Sequence, residues 1–338
     1  MSHHRPLTLS VIIVSYNTQE LTYQAVNSVI DDLSSNSGLA EKSEIIVVDN
    51  NSRDETVTIL KQLKKAKPEF NIKLIQNDSN EGFAKANNRG ILKSKGKLIL
   101  LLNSDAVVHR GTLQQLIQSF VTHPLEPTTA HLSSAKDKLD HLGILAATLI
   151  NFDDSLQPQG GSLPSLISLF SMMFFLDDLP LIGAIFPTIQ ETGRAARHRQ
   201  FLKHQLSKKL IQKGWVAGTA MMIRSEVIDN IGVLDPNIFM YGEDIEYCLR
   251  AKHHHWDIAI DPQATVKHLG CASSSSEGAI LGEIKAYLYI WAKHKPHWQR
   301  RFAKMILFLG LNFRRFLFQV IKQPSKAKTY KKALDLIN

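Results

Sequence analysis

Four short apolar runs, each ending in polar residues, recur through the first third of the chain: Leu9 to Val14, Glu44 to Val48, Ile72 to Ile75, and Lys97 to Leu102. Runs this short, with no alternation, suit strands buried on both faces. Between them the apolar positions shift to helical spacing, over Gln19 to about Leu33, over Thr56 to Lys65, and from Asn80-Glu81-Gly82-Phe83-Ala84 through Asn87-Asn88 to Leu92. Strands and helices alternating at this pace predict an α/β chain of βαβ units, a mostly parallel sheet and right-handed crossovers. The polar strand exits then crowd one edge: Ser15-Tyr16-Asn17-Thr18, Asp49-Asn50-Asn51-Ser52, and Asn103-Ser104-Asp105. That edge is where α/β sheets bind ligands.

The pattern is less regular further on. A helix is expected from Gly111 to Thr122, a mobile polar insertion from Pro124 to His141, a strand from Gly143 to Ile150, and an Asp-rich turn from Asn151 to Ser155. Leu163 to Leu176 is almost wholly apolar but falls short of the about 20 residues that span a bilayer, leaving a core helix or a membrane-touching surface. Thr192 to Lys213 carries seven basic residues and no acid, as a solvated loop or an anion-gripping flap would. Trp215 to Arg224 reads as a strand in which Gly218 permits close approach to the backbone. Glu243 and Asp244 open a helix at the end where acids are favoured, the His253-His254-His255 triple closes it as an exposed end, and Ala264 to His268 is a further strand.

A chain of 338 residues with 44% apolar content can bury a large core in one domain with additions or in two. Its two cysteines, Cys248 and Cys271, form no C-x-x-C pair, so packing roles in a reducing compartment are expected. Met1 to Pro6 has no apolar stretch of the secretory kind, so no signal segment is expected. No G-x-G-x-x-G follows the first strand, which argues against hydride transfer of the usual dinucleotide-binding kind.

The net charge of +9 changes the picture only at one end. Twelve Lys or Arg and no Asp or Glu fall between Lys293 and Lys332, and the rest of the chain is slightly acidic. After a helix from about Gly278 to Lys293, residues Arg300 to Lys322 place Arg301, Lys304, Asn312, Arg315, Gln319 and Lys322 on one stripe. Phe302, Met305, Ile306, Leu309, Phe313, Phe316, Leu317 and Val320 fill the remainder. A basic amphipathic helix with so wide an apolar face suits an anionic membrane interface rather than nucleic acid. The alternative is a helix docked on the domain or in a homo-oligomer interface.

Single residues leave the chemistry open. Asp105 at its strand exit, taken alone, suits a cap on the next helix more readily than a hard divalent cation that would hold a diphosphate. Taken as an ordered set, Val14-Ser15-Tyr16-Asn17, Val48-Asp49-Asn50-Asn51-Ser52, Asn80-Glu81-Gly82-Phe83-Ala84 with Asn87 and Gly90, Leu102-Asn103-Ser104-Asp105, Gly218-Thr219-Ala220-Met221, Glu243-Asp244 and His268 resemble the inverting family 2 glycosyltransferases of the GT-A fold. Within the family the set is most similar to bacterial rhamnosyltransferase-like members.

The resemblance implies a GT-A domain over residues 1–275, with a nucleotide-binding half near 7–123 and an acceptor half near 143–275, and a basic helical region over 276–338. It further implies that Ser15, Tyr16, Asn17, Asp49, Asn51, Gly82, Phe83, Asn87, Asn103 and Ser104 contact the nucleotide-sugar. Trp215, Gly218, Thr219 and Ala220 would shape the acceptor pocket. Asp105 and His268 would hold Mg²⁺ or Mn²⁺, imidazole leaning toward Mn²⁺. Asn103 stands where many members carry a second carboxylate. Asp244 is the implied base and Glu243 an orienting group, while Glu246 should point elsewhere. The implied donor is dTDP-rhamnose, with a UDP-hexose or UDP-galactofuranose as the alternative. The acceptor would be lipid-linked or a saccharide, at the inner face of the cytoplasmic membrane. A non-catalytic nucleotide-sugar-binding scaffold and a nucleotidyltransferase are the competing classes.

Overall fold

The structure, a computed structural model, describes residues 5–123, 141–179, 185–191, 209–270 and 276–337. Most of the polar insertion expected at 124–141, most of the basic segment at 192–213, and Cys271 lie outside the described residues. In chain order the elements are β1 (Leu7–Ser15), α1 (Gln19–Ser34), α2 (Ser37–Glu41), β2 (Ser43–Asp49), α3 (Thr56–Ala66), β3 (Ile72–Gln76), α4 (Phe83–Lys93), β4 (Gly96–Asn103), β5 (Ala106–Val108) and α5 (Thr112–Thr122). There follow β6 (Leu142–Ile150), α6 (Leu166–Met173), β7 (Ile211–Gln212), β8 (Ala220–Arg224), α7 (Ser225–Ile231), α8 (Glu243–His253), β9 (Asp257–His268), α9 (Ser276–His294), α10 (His297–Val320) and α11 (Pro324–Leu334).

One sheet runs in the order β3-β2-β1-β4-β8-β6-β9-β5, with β7 also on β9. Its first four strands are parallel, as the apolar runs predict. Because β1 lies between β2 and β4, the chain leaves it in one direction and later returns on the other side, opening a crevice at the carboxyl ends. Register places the polar exits at one level, with Ser15 opposite Asp49 and Val14 opposite Asn103. Side chains alternate between two apolar layers: Leu9, Val11 and Ile13 face one, Ile12 the other.

Beyond β4 the sheet is mixed rather than mostly parallel. β8 runs antiparallel to both β4 and β6, β9 parallel to β6, and β5 antiparallel to β9. The reversal has a consequence for the crevice. The beginning of β8 and the end of β9 both arrive beside the end of β4, with Ala220 opposite Leu102 and His268 opposite Ala106. The strand expected over Trp215 to Arg224 is confined to Ala220–Arg224. Its forward half leaves the ladder and offers backbone groups to the crevice instead. The loop expected at Ser34 to Lys42 contains the single-turn helix α2, whose start is capped by Asn36 Oδ1 accepting from the Leu39 amide at 3.1 Å.

α9 and α10 are integral to the core. Ile284, Tyr287, Ile290, Trp291, Leu307 and Leu311 share one apolar cluster with Ile12, Ile99 and Met221 of the sheet. Glu246, buried in α8, is held by Arg250 at 2.9 Å, Lys293 at 2.9 Å and His294 at 2.9 Å, which ties the end of α9 to α8. A charge this deep is tolerable only because it is fully paired.

Candidate active site

The polar strand exits, the start of β8, the end of β9 and the start of α8 enclose a cleft of about 480 Å³. Two groups of polar side chains line it.

The first group gathers at the ends of β4 and β9. Asp105 Oδ1 is 3.2 Å from His268 Nε2, and the Asn103 amide nitrogen is 3.4 Å from the same ring nitrogen. His268 Nδ1 donates to Gln157 Oε1 at 2.9 Å, while Gln157 Nε2 donates to the His268 carbonyl at 2.8 Å and to Asn151 Oδ1 at 2.7 Å. With Nδ1 engaged as donor, the imidazole presents Nε2 to Asp105 and Asn103, the orientation a metal-ligating histidine needs. Asn103 Oδ1 is buried with no hydrogen-bond partner among the described residues. A carboxylate, an imidazole nitrogen and an orphaned amide oxygen fit Mn²⁺ or Mg²⁺. Among the described residues no group of three or more His, Cys, Asp or Glu could hold a metal.

The second group stands at the start of α8. Tyr241 and Gly242 both take left-handed φ values, 69° and 95°, and swing the chain into the helix so that Glu243 and Asp244 open its first turn. Asp244 Oδ2 accepts from the Gly218 amide at 3.2 Å and Oδ1 from the Ile245 amide at 2.8 Å. Burial pushes its carboxyl up to about 6 against those two hydrogen bonds. Glu243 is pushed up to about 8, chiefly by burial and then by the neighbouring Asp244 charge. Its Oε2 is buried without a hydrogen-bond partner among the described residues. Near neutral pH the pair therefore offers one carboxylate and one carboxylic acid, set apart by environment.

The expected donor-side residues Tyr16, Gly82, Phe83, Asn103 and Ser104, and the expected acceptor-side residues Trp215, Gly218 and Thr219, all line this cleft. Gly82 is required there: its φ is 82°, and a Cβ would stand 2.4 Å from the Phe239 carbonyl oxygen, which accepts from the Phe83 amide at 2.7 Å. Six other expected residues do not line it. Ser15 Oγ is engaged with Thr22 Oγ1 at 2.7 Å, and Asn87 donates to the Phe83 carbonyl at 3.0 Å within α4. Ala220 packs in the layer with Leu102. Asn17 and Asn51 take left-handed φ in the loops, where Asn17 Oδ1 accepts from the Arg53 amide at 2.8 Å. Asp49, 2% exposed, accepts from the Ser52 amide at 3.3 Å.

Several residues of the site have no role assigned from the sequence. Asn50 accepts from Glu81 N at 3.0 Å and donates to Asn80 Oδ1 at 2.8 Å, which pins the turn before α4 to the end of β2. Gln157, which supports His268 from behind the lining, follows a turn and belongs to no motif. Glu283 and Tyr287 reach the cleft from α9, and burial pushes the Glu283 carboxyl up. The only trace of them is a helical pattern in which a Gly and an Ala four residues apart, Gly282 and Ala286, mark a face able to approach another backbone closely. They approach the Tyr241-Gly242 turn. Cys248 is fully buried, its thiol pushed up to about 12 by burial, as a packing residue should be.

Residues 10–175 match the family described as Glycosyl transferase family 2. Over 254 residues the chain is 27% identical to the low-salt glycan biosynthesis hexosyltransferase Agl10 of Haloferax volcanii, covering 74% of this chain and 63% of that protein. It is 21% identical over 299 residues to the glycosyltransferase AglE of the same organism, covering 87% and 78%. Among solved structures, GalNAc-T7 with UDP, GalNAc and Mn²⁺ aligns with a TM-score of 0.55 at 17% identity, over 85% of this chain and 48% of that one. S. aureus TarS 1–349 in complex with UDP-GlcNAc gives 0.54 at 15% identity over 98% and 80%. The mannosyltransferase PcManGT from Pyrobaculum calidifontis, with GDP-Man and Mn²⁺, gives 0.52 at 12% over 97% and 74%. At these identities the structures share the fold, a GT-A-like mixed sheet flanked by helices.

Proposed function

We propose that this chain, whose residues 10–175 are a family 2 glycosyltransferase domain, transfers a sugar from a nucleoside diphospho-sugar to an acceptor hydroxyl with inversion at the anomeric carbon. The observation that carries the reading is the placement of Asp105, His268 and Asn103 in the same cleft as the Glu243-Asp244 pair. One group suits an anionic leaving group, the other a proton to be removed.

Asp105 and His268, with the Asn103 oxygen, would hold a divalent cation, which when bound neutralises charge on the departing nucleoside diphosphate. Asp49 and the surrounding exits serve the nucleotide, through its pyrimidine or ribose. Asp244 takes the proton of the acceptor hydroxyl as that oxygen attacks, its carboxyl tuned near neutrality by burial and fixed by the Gly218 and Ile245 amides. Glu243, protonated near neutral pH, donates to and orients a hydroxyl at the unpartnered end of its carboxyl. Trp215 and the Gly218-Thr219 backbone shape the acceptor side.

The donor of choice is dTDP-rhamnose, on the strength of the sequence motifs. A UDP-sugar is the second reading, favoured by the UDP and UDP-GlcNAc complexes of the structural neighbours. A lipid-linked or saccharide acceptor in surface-glycan synthesis, met at the inner face of the cytoplasmic membrane, agrees with the Agl10 relative's role in glycan biosynthesis. Among the described residues no helix is long and apolar enough to cross a membrane.

The test is a panel of dTDP-, UDP- and GDP-sugars with Mn²⁺ or Mg²⁺, read by thermal shift and by the nucleotide released. A preferred donor should stabilise the protein and yield free nucleoside diphosphate. Release of pyrophosphate, or product with retained anomeric configuration, would replace the reading with a nucleotidyltransferase or a retaining enzyme.

A further inference from the structure

α10 has two apolar sides. Ala303, Leu307, Gly310 and Leu311 are buried against the domain, and Arg314 fastens that side by donating to the Met172 and Met173 carbonyls at the end of α6. A helix so docked should turn polar residues outward. Instead Trp298, Phe302, Met305, Leu309, Phe316 and Val320 recur at steps of three, four or seven residues on the opposite side, every one exposed, Phe316 to 65% and Phe302 to 49%.

This stripe does not stop at the helix. Phe313 at its margin packs against Phe174 with ring centroids 5.5 Å apart, and Phe174 lies 4.6 Å from Phe170 of α6, which is itself exposed beside Ile167. The apolar surface therefore spans two helices. Along its other margin run Arg301 and Arg315, in the segment from Lys293 to Lys332 that contains twelve cations and no acid.

We infer that this α6–α10 surface seats the protein on an anionic bilayer, its aromatic and aliphatic side chains entering the headgroup boundary and its basic margin meeting lipid phosphates. An outward apolar stripe bordered by Lys and Arg is the pattern of a helix lying in a membrane interface. A second copy fits less well, because a two-fold contact through this face would bring two acid-free basic margins together. The seat also lies next to the cleft. Met172 of α6 accepts a hydrogen bond from the Tyr287 hydroxyl at 3.6 Å, and Tyr287 lines the acceptor side. An acceptor anchored in the same bilayer would approach from that side. The seat itself is independent of the catalytic reading, since it is measured without substrate.

The experiment is co-sedimentation of the full chain with phosphatidylcholine vesicles, with and without phosphatidylglycerol, across a salt series. The wild type should bind the anionic vesicles, less tightly as salt rises. Phe302→Ser with Phe316→Ser should weaken partition at least tenfold. Arg301→Glu with Arg315→Glu should abolish the preference for phosphatidylglycerol. Leu92→Ser, at an exposed position on α4, should change nothing. Thermal melts check that each variant is folded, and Leu309→Ser replaces the aromatic pair should that pair unfold. Equal vesicle binding by the folded aromatic variant would overturn the proposal. So would a wild type that ignores vesicles but sediments as a dimer, which the aromatic variant dissociates; the face would then belong to a second copy.

Discussion

Gly242 and Ala286 meet so closely that a Cβ on the glycine would stand 2.5 Å from the Ala286 methyl group. One turn of α9 earlier, a Cβ on Gly282 would stand 2.9 Å from the Tyr241 ring. Two small residues of α9 thus form the seat on which the Tyr241-Gly242 turn rests, and that turn aims Glu243 and Asp244 into the cleft. A helix far along the chain sets the geometry of a pair more than 30 residues before it.

Ala286→Leu should therefore damage transfer while sparing donor binding. The added bulk must lift the turn, and a displacement of about 1 Å at reacting groups can cost on the order of 10²-fold. We expect that loss in single-turnover transfer, with nucleotide affinity unchanged. An equal loss in both would mean that the substitution disturbs the whole cleft.

Asp105→Ala should remove metal-dependent nucleotide binding, since no other carboxylate shares that strand exit with His268. Gln157→Leu is the subtler case. It leaves both proposed ligands but frees the imidazole to rotate or change tautomer, for which about a 10- to 100-fold loss in metal affinity is typical. Mn²⁺ titration followed by nucleotide binding checks both. Full response to Mn²⁺ in the Asp105 variant would move the metal elsewhere.

The left-hand half of the sheet was legible because each strand is a short apolar run that ends in Ser15, Asp49, Gln76 or Asn103, and parallel βαβ packing must bring such ends to one edge. Strand direction beyond β4 was not, because apolar periodicity is the same read either way along β8. Glu243 and Asp244 were legible by motif, but their support was not. Gly282 and Ala286 carry no chemistry of their own, and Gln157 acts only through the ring it orients. The amphipathic pattern of α10 was read as a choice between docking and membrane contact, whereas the helix has one apolar side docked on the domain and a second one exposed. Removing it would uncover Leu307 and Leu311, which are 1% and 0% exposed, so a chain cut after Pro296 should be strongly destabilised.

Glu243→Gln should change the pH dependence of stability. In the folded chain the carboxyl holds its proton to about pH 8, whereas unfolded it ionises near 4.5. Between those values the folded state binds more protons, so stability falls as pH rises, and the contribution intact at low pH is gone above the folded value. Gln carries no such dependence. The variant should gain on the wild type from about pH 5 to about pH 9 by something of the order of a few kcal/mol, seen in urea melts at the two ends. A constant difference across that range would show that Glu243 is not held protonated.

Asp244→Asn separates binding from proton transfer most cleanly. The amide keeps the size of the side chain, and its oxygen can still accept from the Gly218 or Ile245 amide, so the start of α8 should stay in place. Nucleotide and metal affinity should remain near wild type, because their proposed contacts lie on β1, β2, β4 and β9. Transfer should fall by the 10² to 10⁴ typical of losing a general base, roughly 3 to 5 kcal/mol of barrier. The wild-type rate should also rise with pH through about 6, where the buried carboxyl ionises, and the residual rate of the variant should lack that limb. Glu243→Gln, measured beside it, should keep the limb and lose less, as befits an orienting group. Near-normal transfer in Asp244→Asn alongside an inert Glu243→Gln would assign the base to Glu243, and full activity in both would take the pair out of the mechanism.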